Sequence, residues 1–145
     1  MANSTNLPPE VRAFVICDRI YRDADTRKYV LAGVFNRIFA PVFPWAYPGG
    51  CGVYFALTGI RARLELALSF KEASSNTVLM ETQISVSDVT DPLAPVEFHV
   101  MFPPLPLPQA GHYSFELSLH PAGVLLRTLA IQVKSRPSAP EGDHP

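Results

Sequence analysis

The sequence lacks three things at once: net charge, a long apolar run and more than a pair of cysteines. Its 12 lysines and arginines stand against 13 aspartates and glutamates, a formal net charge of −1. The basic residues are scattered along the chain rather than gathered into a stripe. Nucleic acids and anionic membranes are recognised through concentrated positive charge, so neither is an expected partner. No apolar stretch approaches the ~20 residues that a membrane helix needs. The opening MANSTNLPPEVRAF lacks a basic segment followed by an apolar one, so no secretory signal is read there. Cys17 and Cys51 are therefore expected as two buried, unpaired thiols in a reducing, cytoplasmic compartment.

Catalytic and metal-binding patterns are equally scarce. His99, His112, His120 and His144 form no H-x-x-x-H, and the cysteines form no C-x-x-C, so no zinc signature is present. There is no G-x-S-x-G elbow and no glycine-rich phosphate loop. Asp18, Asp23 and Asp25 invite comparison with a calcium loop. Counting from Asp23, Arg27 and Lys28 fall at the fifth and sixth positions and Val34 at the twelfth. A calcium loop needs a ligand, a glycine and a glutamate there. The stretch reads instead as a turn, with Asp and Thr side chains bonding local amides. Asp88 and Asp91 read the same way. Glu97 and His99 share one strand face, as do His112 and Glu116; were those strands paired, the four would cluster on the outside. No cofactor, no metal and no catalytic residue is expected; the weak enzyme reading, a surface hydrolase, needs His99 to meet a carboxylate in a cleft.

What is present is proline, 15 of 145 residues, set between apolar runs that alternate with period two. RAFVICD (12–18) and YVLAGVF (29–35) are short apolar runs. CGVYFALTG (51–59) puts Val53, Phe55 and Leu57 on one side. RLELALSF (63–70) does so with Leu64, Leu66, Leu68 and Phe70. METQISVSD (80–88), VEFHVMF (96–102), HYSFELSLH (112–120) and LLRTLAIQVK (125–134) follow the same rule. Arg127 breaks the last alternation, which predicts a bulge or an edge position. Proline and glycine interrupt every window long enough for a helix. The pattern predicts an all-β fold, an immunoglobulin-like antiparallel β-sandwich of seven to nine strands, with a closed barrel as the alternative. The domain spans 11–135, with flexible tails over 1–10 and 136–145.

In LPLPQAGHYSFEL (105–117), Gly111 precedes Tyr113 and Phe115 follows it, which resembles the tyrosine corner of immunoglobulin-like sandwiches. The run of the aspartate-rich hairpin, GVFNRIFAP, DVTDPLAPVEF, FPPLPLPQAGHYSFEL and a closing IQV resembles an uncharacterised bacterial family of small β-sandwich proteins, a domain of unknown function. The resemblance covers about residues 11–134. It implies the fold and a bacterial, intracellular setting, and carries no catalytic residues.

One segment stands apart. FAPVFPWAYPGG (39–50) sets Phe39, Phe43, Trp45 and Tyr47 among three prolines, too many for a central strand. Rigid aromatics of this kind either cap the end of a core or anchor a partner. FPPLPLP (102–108) contains P-x-x-P, yet reads better as a crossover between sheets. The expected function is a non-catalytic, cytoplasmic protein-interaction or assembly module, acting through a sheet edge or through Phe39–Tyr47, on itself or on another protein. The alternative is a small-ligand or carbohydrate-binding module that uses the same aromatics as a platform.

Overall fold

The computed structural model describes residues 7–87 and 91–137. The two expected tails fall largely outside the described residues, as does Asp88. The strands are β1 (Glu10–Arg22), β2 (Tyr29–Val34), β3 (Arg37–Ala40), β4 (Trp45–Tyr47), β5 (Cys51–Thr58) and β6 (Leu64–Glu72), then β7 (Thr77–Val86), β8 (Val96–Phe102), β9 (Leu105–Leu107), β10 (Gly111–His120) and β11 (Leu125–Ser135). Among the described residues there is no helix. All eight alternating runs are strands. The total of eleven exceeds the expected seven to nine, because β3, β4 and β9 are too short to show a period.

Four strands form one sheet in the order β2-β1-β5-β8, and five form another in the order β3-β11-β10-β6-β7. The two sheets end in open edges, so the barrel alternative fails. Both give their apolar sides to one core, in which Phe55, Leu57, Leu66, Phe70, Phe115 and Leu117 are fully buried. Phe102 of β8 meets Phe115 of β10 across the middle, with ring centroids 5.3 Å apart. Each such side chain contributes roughly 1.5–3 kcal/mol through removal from water. All pairings are antiparallel except one: β3 runs parallel to β11, with Val133 opposite Ile38. The chain reaches that position by crossing from β2 to the other sheet at Asn36, whose carbonyl accepts the Gln132 amide at 3.0 Å.

Two irregularities face each other between the sheets. The β1–β5 register slips between Val11 and Ala13, and the β10–β11 register slips between Leu117 and Ser118. The expected bulge near Arg127 is therefore present. Its guanidinium donates to the Val11 carbonyl at 2.9 Å and joins the two disrupted ladders. β5 is buried on both faces, which one-sided alternation does not predict. The β1–β2 hairpin explains this: a Cβ on Gly52 would meet Ile20 at 2.7 Å and the Met101 sulfur at 2.9 Å. Ile20 thus covers the outward side of β5.

β4 and β9 pair with each other, Trp45 with Leu107 and Tyr47 with Leu105. The two proline-rich segments thus form a small ribbon that leaves the β5–β8 pair at Cys51 and Phe102. Pro106 offers no amide, which restricts it to so narrow a ribbon.

Candidate functional site

The aspartate turn is structural. The Asp23 carboxylate accepts the amides of Asp25 at 2.9 Å and Thr26 at 2.8 Å. Those bonds hold the exposed Asp23 carboxyl below its usual range. Arg27 takes a left-handed φ of 65° to close the hairpin. Asp18 lies outside that turn and accepts the Tyr47 hydroxyl at 2.6 Å, so the first aspartate is tied to the aromatic segment. Burial, with Asp18 beside it, pushes the Tyr47 phenol up to about 12. Arg19 adds a bond to the Gly49 carbonyl at 3.3 Å.

The four aromatics predicted as an interaction surface divide. Phe43, Trp45 and Tyr47 are half-buried and pack against the core. They cap the end of the two-sheet core. Only Phe39 is broadly exposed, at 43 %. Trp45 and Tyr47 meet edge-on, centroids 6.1 Å apart and planes at 79°. The outward side of the ribbon forms an open groove of about 420 Å³, lined by Pro44, Trp45, Ala46, Leu79, Pro106, Leu107 and Pro108.

Leu79 was missing from the sequence reading. It occupies a bulge in β7: Met80 faces Phe70, Val78 faces Lys71, and Leu79 is left over between them. The bulge turns Leu79 toward the ribbon. The signal was the unbroken Val78-Leu79-Met80, three apolar residues where alternation should hold one or two.

Gly111, Tyr113 and Phe115 alternate along one side of β10. Gly111, at φ 145°, opens β10 in a backbone form that side chains rarely adopt. The Tyr113 hydroxyl donates to the Gln109 carbonyl at 2.6 Å and accepts the Gln109 amide at 3.2 Å. The buried Glu72 closes this corner, accepting Ser75 at 2.6 Å and the Gln109 amide group at 3.1 Å.

The family model of DUF6941, a family of unknown function, matches residues 12–134. The chain belongs to that family. Among curated proteins, none matches it. The matched span begins within β1 and ends within β11, so the ribbon, the groove and the tyrosine contact all lie inside it.

The histidine cluster raised by the sequence does not form. β8 and β10 lie in different sheets, which separates Glu97 and His99 from His112 and Glu116. His99 instead meets the Tyr29 hydroxyl at 3.0 Å, and Glu97 accepts the hydroxyl of Tyr54. Burial and Glu97 push the Tyr54 phenol up to about 12. Arg22 covers the Tyr29 ring at 4.5 Å. These contacts fix the hairpin over the four-stranded sheet and satisfy one another. Cys17 and Cys51 are free and fully buried. Burial raises both thiols, Cys51 to about 12. Thiols held protonated in this way are poor nucleophiles.

Proposed function

We propose that this chain is a non-catalytic, cytoplasmic protein-interaction module. It receives an extended segment along β7, with one apolar side chain of that segment in the groove beside Trp45. The observation that carries the reading is the meeting of an open edge and an apolar groove at Leu79. β7 is ten residues long, is the last strand of its sheet, contains no proline and bears a single charge, Glu81. Native edges are usually blunted by prolines, charges and bulges; β7 has one charge and one bulge, and the bulge lies at the groove itself, so the rest of the strand is a template for strand addition. Backbone bonds would supply affinity and the groove would supply selection. Two buried free thiols suit a reducing compartment. The two-sheet core and the Tyr113–Gln109 contact support an immunoglobulin-like description of the fold.

A carbohydrate platform is less well supported. Trp45 and Tyr47 are not coplanar, the Tyr47 hydroxyl is taken by Asp18, and prolines and aliphatic side chains dominate the groove. The test is a panning experiment with displayed random peptides on the wild type and on Trp45→Ala, with circular dichroism to show both folded. Enrichment of apolar, β-prone peptides on the wild type alone supports the proposal. Equal enrichment on both proteins, or none on either, overturns it.

A further inference from the structure

The five-stranded sheet ends in two open edges of opposite character. At one end lie Glu81 on β7 and Glu65 on β6. At the other lie Arg37 on β3, Lys134 on β11 and Arg136 just beyond it. The two salt bridges among the described residues, Arg12–Glu10 and Lys71–Glu116, involve none of these five groups. The acidic end borders the apolar Leu79–Trp45 groove. The basic end carries Phe39, with Lys134 beside it in the ladder.

From these two ends we propose that the segment received by β7 is β3 of a second copy of this chain, in a head-to-tail assembly. The inference rests on the docking reading of β7 above and names its partner. Strand direction supports it. β7, β6, β10 and β11 alternate in direction, and β3 runs with β11. A second copy placed beside the first in the same orientation therefore offers β3 antiparallel to β7, the stronger kind of pairing. The pattern of β3 fits as well. Arg37 and Phe39 are exposed, whereas Ile38 and Ala40 face the core. The register that sets Arg37 against Glu81 sets Ile38 against Met80 and, across the Leu79 bulge, Phe39 against the exposed Val78 beside the groove. Charge then matches charge and apolar matches apolar along the new pair. Because donor edge and acceptor edge are different surfaces, the contact is heterologous and leaves a free edge at each end. β3 has only four residues, so the contact is small and the assembly weak and concentration-dependent.

The test is sedimentation velocity on the full chain from roughly 10 µM to 1 mM at low salt, a range suited to a small interface. The wild type should gain mass with concentration and lose it with added salt. Glu81→Arg and Arg37→Glu both change exposed side chains, and each replaces the attractive pair with a repulsive one, weakening association by roughly tenfold. An equimolar mixture of the two variants should assemble again, because each then meets a complementary edge, and so should the double variant. A wild type that stays monomeric across the range overturns the proposal. So does assembly that survives either reversal, or a mixture that fails to recover. If the chain is monomeric while peptide capture still depends on Trp45, the partner is another protein and the docking reading stands. If peptide capture fails as well, both readings fall.

Discussion

Removing the hydroxyl of Tyr113 isolates one contact of the fold. Tyr113→Phe keeps the ring, which stacks on Phe70 at 5.5 Å and 9°. It deletes a donor 2.6 Å from the Gln109 carbonyl and an acceptor 3.2 Å from the Gln109 amide. Glu72 also loses a long contact at 3.4 Å but keeps Ser75 and Gln109. A buried polar group left without a partner costs about 1–3 kcal/mol, so two fully buried orphans would cost up to ~6. Gln109 is itself exposed, and water recovers part of that loss. The expected destabilisation is therefore about 2 kcal/mol. For a chain of this length, that lowers Tm by roughly 4–8 °C. Trp45 is the only tryptophan, so urea unfolding followed by its fluorescence reads the change directly. The midpoint should fall with the slope unchanged, since the surface exposed on unfolding is the same. A loss under ~0.5 kcal/mol would show that water replaces the hydroxyl without penalty, and the corner would then hold nothing.

Two other outcomes follow from the same structure. Cys51, Tyr47 and Tyr54 are each held to about 12, whereas a free thiol ionises near 9.0 and a free phenol near 10.0. Below pH 9 both folded and unfolded chains keep these protons; above it the unfolded chain releases them first, so stability should fall steadily between pH 9 and 12. Urea midpoints at pH 7, 9, 10 and 11 measure this, and a flat profile contradicts it. Gly50→Ala should cost more than about 3 kcal/mol, because the new Cβ would overlap the Phe102 carbonyl oxygen at a φ of 66°. Thermal unfolding of the purified variant, or its failure to appear in the soluble fraction, is the readout.

The long strands were legible because a one-sided strand writes its burial into every second residue. Leu64, Leu66, Leu68 and Phe70 needed no partner to reveal their face. β3, β4 and β9 hold three or four residues each, at most two full periods, and their partners lie far along the chain. Trp45 finds Leu107, and Arg37 finds Gln132. Pairing across such distances leaves no local trace, which is why the parallel β3–β11 pair went unread. Arg127 shows the opposite case. A charge in an apolar position marked the bulge, but nothing local could name its acceptor, Val11. Leu79 was a similar break in pattern, and the groove it completes exists only once residues from β4, β7 and β9 are assembled.

The β4–β9 ribbon has a consequence in time as well as in space. It joins residues 45–47 to 105–107, and three ladder pairs must offset the closure of a loop of that length. Closing so much chain is costly until other contacts hold its ends near each other, so the ribbon is expected to form late in folding. Leu105 and Leu107, both fully buried, are therefore expected to enter the core late. The Trp45 groove comes into being at that same step. A segment that docked in this groove would accordingly select chains whose ribbon has closed over chains in which it is still open.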